Sequence, residues 1–299
     1  MKATTRQEGK DEIFECHRAR VFSVAYRILG SVADAEDVVQ DAWLRWRNTD
    51  TSGIQNPEAW LVTTVARLAI DQLRSARARR ETYVGPWLPE PIVELASASE
   101  TTPEERLSLA DDISMALLHM LERLAPEERA AFLLHDAFDY GYGELAALLG
   151  KSEAACRQRG SRARQGVKAA NPRFDNSATE HRRLAAALSS AISAADPGAL
   201  IGCFSEDVVF YSDGGGKAIA ALNPLYGPDH VTRFLIGILK KRPENFAVQP
   251  ATVNGLPGFL MTEGEGRVHS ALSFGVSDGR ISALYMIRNP DKLQHTDLR

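Results

Sequence analysis

Residues 142–168 read YGELAALLGKSEAACRQRGSRARQGVK, and their spacing decides how the middle of the chain folds. Leu145, Ala146, Leu148 and Leu149 give a short helix one apolar face. Gly150-Lys151 supplies a turn, and Ser152 caps a second helix. There Cys156, Gly160, Ala163 and Val167 recur at helical spacing and face inward. Arg157, Ser161, Arg164 and Lys168 recur at the same spacing on another face. Two helices joined by a glycine turn, the second outwardly basic, describe a DNA-binding helix-turn-helix. Arginine pairs bidentately with guanine edges, and neighbouring cations hold phosphates. A helical hairpin with a solvated basic face is the plainer alternative.

Toward the N-terminus the chain is also helical. Phe14, Val21, Ala25, Ile28 and Leu29 keep helical spacing until Gly30 stops the run. Ser31 caps a second helix, with Asp34 three residues on, and Val38, Val39, Ala42 and Trp46 form its apolar side. The polar stretch from Asn48 to Asn56 reads as an irregular loop. Asn56-Pro57 opens a third helix with a Leu61, Val65, Leu68, Ala69, Leu73 stripe, closed by Arg74, Arg77, Arg79 and Arg80. Basic side chains beside Trp43, Trp46 and Trp60 suit single-stranded DNA; arginines completing a helix dipole, and tryptophans in a core, are the plainer account. Asp34, Asp37 and Asp41 share one side of the second helix, either complementing its dipole or meeting a basic partner.

Beyond Glu81 the pattern breaks. Pro86, Pro89, Pro91 and Pro103 mark an extended connector before helices resume near Leu107 and run to about Val167. After Asn171-Pro172 and one helix (180–194) come β-rich stretches at 208–211, 246–253, 258–262, 268–274 and 281–287, with a helix at 229–241. Asn254-Gly255 and Asp278-Gly279 are hairpin signals. An α+β domain thus follows two all-α ones.

The chain has 299 residues, enough for two or three domains, and a formal net charge of -4 that hides arginine clusters at 67–80 and 157–164. Its three cysteines, Cys16, Cys156 and Cys203, are far apart and lack metal-ligand spacing, which predicts neither disulfides nor a metal site and fits a reducing cytoplasm. The opening MKATTRQEGKDE has no apolar core, so no signal peptide is expected, and no apolar run approaches the ~20 residues that span a bilayer.

The stretches DAEDVVQD (34–41), NPEAWL (56–61) and AIDQLR (69–74) resemble region 2 of bacterial sigma factors of the extracytoplasmic function (ECF) group, and residues 126–164 resemble their region 4. The resemblance implies an alternative sigma factor: no enzyme, no cofactor, no metal, cytoplasmic, no membrane. Its partners would be core RNA polymerase, through the β′ clamp helices and the β flap, and promoter DNA. The expected polymerase-binding residues are Asp34, Asp37, Val38, Val39, Gln40 and Asp41. Asn48, Asn56, Arg67, Arg74, Arg77 and Arg80 would open and read the minus-ten element. Arg157, Gln158, Ser161, Arg162, Arg164 and Lys168 would read the minus-thirty-five element. Leu68 and Gly160 depart from the group, which commonly has an asparagine and a larger apolar residue there.

WLPEP (87–91), DGGGK (213–217) and NPDK (289–292) resemble a branch whose C-terminal extension is a SnoaL-like (NTF2-like) α+β cone. The implied organisation is region 2 at 11–80, a linker at 81–106, region 4 at 107–170 and a regulatory cone at 178–299. Trp87, Pro89, Asp213, Lys217, Asn289 and Asp291 would make regulatory contacts with the connector or region 2, replacing a separate anti-sigma protein. Because some SnoaL-like proteins use an Asp/His pair as acid and base, His230 or His269 with Asp207 or Asp213 supports the rival expectation of a small-molecule enzyme, or a ligand sensor, fused to a DNA-binding regulator.

Overall fold

The computed structural model describes residues 2–95, 113–170, 177–294 and 296. The expected helix restart near Leu107 and the break at Asn171-Pro172 lie outside them. The described residues form two compact units, one of residues up to 81 with 120–170, the other of 82–95, 113–119 and 177–296. The stretch expected as region 2 thus shares a unit with residues 120–170 of the expected region 4, whereas residues 113–119 and the connector residues 82–95 fall in the unit of the C-terminal domain.

In the first unit α1 (Lys2–Leu29) ends where Gly30 takes a φ of 69°. Ser31 Oγ then accepts from the Asp34 amide at 3.2 Å and starts α2 (Val32–Asn48). α3 (Pro57–Arg80) packs on both, burying Val21, Ile28 and Leu29 with Val39, Ala42 and Trp46 and with Leu61, Val65 and Ala69. The expected irregular loop before α3 holds a single 3-10 turn, Thr51–Gly53, because Asp50 accepts from the Ser52 amide. α4 (Met115–Leu121) belongs to the second unit as far as residue 119, and the first unit continues with α5 (Pro126–Asp136), α6 (Tyr142–Leu149) and α7 (Glu153–Ala170). Gly150, left-handed at φ 61°, ends α6, and Ser152 Oγ accepts from the Ala155 amide to begin α7. The Arg129 guanidinium is 1% exposed; it donates to the Arg27 carbonyl at 3.0 and 3.1 Å and to Glu122. Those acceptors are what make a buried cation tolerable.

The second unit is built on one sheet of order β1-β4-β5-β6-β7-β2-β3. Its strands are β1 (Val93–Leu95), β2 (Phe204–Asp213), β3 (Leu225–Tyr226), β4 (Ala247–Val253), β5 (Leu256–Glu263), β6 (Arg267–Ser277) and β7 (Arg280–Ile287). Asn254-Gly255 and Asp278-Gly279 adopt positive φ at both positions, the geometry that matches hairpin twist. β5, β6 and β7 are buried on both faces. Helices α8 (Ala178–Ala194), α9 (Pro197–Cys203) and α10 (Pro228–Lys240) cover one face around Leu188, Phe210, Leu272 and Leu284. Leu88, Met115 and Leu293 pack on the other, with Leu260, Tyr285 and Ile287. The sequence reading missed β1: Val93 pairs with Val253 and Leu95 with Ala251, so the described part of the connector includes an edge strand.

Candidate nucleic-acid interface

The acidic side of α2 is exposed at Glu36, Asp37, Gln40 and Asp41, while Asp34 is half-buried and takes a hydrogen bond from Gln72 Nε2 at 2.8 Å. Val38 and Val39, expected among the polymerase contacts, are 2% and 4% exposed. That is a correction: both are spent in the core, and their part is to fix the rotation that turns Asp37 and Asp41 outward. Beside them a cavity of about 250 Å³ opens between α1 and α2, lined by Glu15, Arg18, Glu36, Gln40 and Trp43.

The tryptophans divide. Trp46 is fully buried and its indole N–H donates to the Lys10 carbonyl at 2.9 Å, so it is core. Trp43 is half-buried with the Arg47 guanidinium 4.7 Å from its ring centroid, and Trp60 packs 5.3 Å from Trp46. Asn48 is exposed. Asn56, expected both to open α3 and to lie at DNA, is exposed and accepts from the Ala59 amide at 3.0 Å as the cap of α3.

The α3 arginines are engaged inside the first unit. Arg67 donates to the carbonyls of Leu148 and Ala147 at 2.8 and 2.9 Å, satisfying the C-terminal end of α6. Arg74 bridges Asp71 at 2.8 Å and Glu127 at 2.7 Å. Arg80, expected on DNA, is bound inward by Glu122 and the Leu29 carbonyl, with 15% of its side chain exposed; it is a packing residue in this arrangement. Burial pulls its pKa below the usual arginine value, against the pull of Glu122. The Arg77 side chain lies outside the described residues.

α7 presents Arg157, Gln158, Ser161, Arg162 and Lys168 to solvent, and buries Cys156, Gly160 and Ala163. Arg157 pairs with Glu153 and lies 5.6 Å from the Tyr142 ring. Arg164 is tied to Asp136 at 2.9 Å, and hydrogen bonds to Asp136 and Tyr142 raise its pKa. Sequence reasoning missed two hubs. Glu127 receives Arg74 and Arg159, the latter at 2.9 Å, and Glu122 receives Arg80 and Arg129. Glu127 is an acid in a helix first turn, where dipole complementarity hides any other role, and Glu122 follows the last residue of α4, where its spacing carries no local signal.

In the second unit Asp213 has no exposed surface. It accepts from the Tyr83 hydroxyl at 2.5 Å, the Leu88 amide at 2.8 Å and Lys292 Nζ at 2.7 Å. Lys292 Nζ also sits 4.0 Å from the Trp87 ring centroid and donates to the Leu88 carbonyl. Asn289 donates to Tyr83 at 2.8 Å and caps its own turn through the Asp291 amide, and Lys217 pairs with Asp291 at 2.5 Å. Pro89 is buried beside Leu88. All three motifs therefore converge on the connector. The proposed acid–base pairs do not form. His230 Nδ1 faces the Tyr226 carbonyl, Asp207 holds Ser205, and His269 contacts Ser270 and Arg288.

A sigma-70 region 2 model matches residues 13–79, and a sigma-70 region 4 model matches 114–165. The ECF RNA polymerase sigma factor SigJ of Mycobacterium tuberculosis is 42% identical, over 96% of this chain and 94% of its own. The chain is an ECF sigma factor. The crystal structure of SigJ superposes with a TM-score of 0.78 at 39% identity, covering 96% of this sigma factor and 99% of that chain, so the C-terminal arrangement is SnoaL-like. The probable ECF sigma factor SigI of M. tuberculosis is 28% identical over 94% of the chain. As a member of this family, the sigma factor directs transcription initiation with core RNA polymerase on promoter DNA and is not an enzyme. No helix among the described residues is long and apolar enough to cross a membrane.

Proposed function

We propose that the sigma factor grips the β′ clamp helices through the exposed acids Asp37 and Asp41, with Gln40 and Asp34 alongside, and meets the β flap through region 4. Residues 48–56 and α3 would handle the minus-ten element. α7, through Arg157, Gln158, Ser161, Arg162, Arg164 and Lys168, would take the minus-thirty-five element. Because Arg67 and Arg74 are bound to α6 and Glu127, the free factor rests closed, and promoter binding has to release them. The C-terminal domain adjusts that release in the cytoplasm without a separate anti-sigma protein. The observation that carries the regulatory part is Asp213, buried by the chain segment that joins region 2 to region 4.

In-vitro transcription with core polymerase tests both parts. Asp37→Arg should abolish association with core polymerase while the fold survives; binding equal to the parent removes the acidic face from the account. Truncation after Asn171 should change promoter output, and identical transcripts from both proteins would make the C-terminal domain irrelevant to initiation.

A further inference from the structure

The second helix of the helix-turn-helix is met by a ring from the first. Tyr142 opens α6, whose start is fixed by the Gly141 amide donating to Glu144 Oε2 at 2.8 Å. Its half-buried ring reaches α7 at Gly160, where a Cβ would stand 3.0 Å from the phenol oxygen and 3.4 Å from Cε1. Glycine at that position leaves the ring its seat, and a larger side chain would push it out.

Two further contacts hold the ring there. His135, in the last turn of α5, lies against it with the ring centroids 4.2 Å apart. The Nδ1 of His135 is 2.7 Å from the Tyr140 carbonyl; a carbonyl only accepts, so the imidazole donates and its own orientation is set. Arg164 holds the phenol end, because its guanidinium is hydrogen-bonded to the Tyr142 oxygen and, at 2.9 Å, to Asp136. Tyr142 is thus fixed by both α5 and α7.

Arg157 lies one turn before Gly160 on the same side of α7, and its guanidinium carbon is 5.6 Å from the Tyr142 ring centroid. A cation over an aromatic face is held by its charge and needs no N–H for the contact. Its donors therefore remain open to a base edge. The pair that Arg157 makes with Glu153 is exposed, the kind that contributes little and yields to a bidentate acceptor. Arg162 makes the contrast. It is exposed on the same helix, has no ion pair or ring contact among the described residues, and has to give up its rotamer freedom on binding.

We propose that Tyr142, seated at Gly160, is a positioning residue that aims Arg157 at a base edge before DNA arrives. This role rests on α7 being the minus-thirty-five helix, and it couples the small residue at 160 to the aromatic at 142.

The test uses the full chain with core polymerase and a promoter that the parent transcribes, randomised over its minus-thirty-five element, with the bound duplexes sequenced. Arg157→Ala should flatten the base preference at one position by about tenfold, as loss of a bidentate pair does. Tyr142→Met fills the seat without an aromatic face and should weaken the preference at that same position about threefold. Tyr142→Phe, which keeps the ring, should preserve it. In the Arg157→Ala background Tyr142→Met should change nothing further there. A tyrosine that served packing alone would move the melting temperature and leave the sequence profile as it was. If the methionine variant does not melt cooperatively, ¹⁵Nε–H relaxation of the parent decides, where Arg157 has to be more ordered than Arg162. Equal order, or a profile moved by Arg157→Ala but not by Tyr142→Met, overturns the positioning role alone. A profile moved by neither takes Arg157 off the bases, and the role of Tyr142 falls with it.

Discussion

Asp213 lies against an amide, a phenol and an ammonium, each of which donates to it. The phenol is Tyr83, whose pKa burial pushes far up, with Asp213 adding to the rise, so it stays a donor throughout the physiological range. Removing the carboxylate would leave Lys292 buried without its anion. Asp213→Ala should therefore cost about 3–5 kcal/mol in urea unfolding of the second unit, as breaking a buried pair does. The exposed Lys217–Asp291 bridge belongs to a different class, and Lys217→Ala should cost about 0–1 kcal/mol in the same assay. The sequence shows both aspartates in glycine- or proline-bearing turns and cannot rank them. What separates them is depth, which depends on a connector 125 residues away in the chain.

Among the elements, α7 shows why a residue that departs from its group need not loosen packing. A Cβ on Gly160 would lie 3.0 Å from the Tyr142 hydroxyl, so α6 fills with an aromatic ring the space that a larger side chain would occupy. Gly160→Leu should destabilise the helix-turn-helix by about 1–3 kcal/mol through overpacking, measurable by thermal melting. The helices themselves were legible, because caps and apolar spacing are local signals: Gly30, Ser31, Gly150 and Ser152 all act where the sequence places them. Long-range pairing was not. β1 is three residues without alternation, and nothing near it names β4 as its neighbour. Val38 and Val39 carried two readings, the apolar side of α2 from their spacing and a polymerase contact from the resemblance, and their burial fits the first.

At the scale of the whole molecule, α3 is held to region 4 through Glu127. Burial raises that carboxyl's pKa, but Arg159, Lys151 and Arg74 outweigh it and hold the group below the usual glutamate value. A depressed carboxylate contributes stability above its unfolded pKa and loses it as pH falls through the folded one. Spin labels on α3 and α6 should therefore separate as the solution is acidified below the ordinary carboxylate range. Glu127→Gln should remove that step; a step that persists in the variant assigns it elsewhere.

The edge strand β1 carries a consequence for anyone recombining these genes. A cut at the end of region 4 leaves residues 82–95 behind, stripped of the sheet edge and of the aspartate that hold them. Chimaeras exchanging C-terminal domains between relatives should fold only when this short upstream segment travels with its own sheet. The two pieces answer to one sheet although most of the described positions between them, 120–170, belong to the other unit.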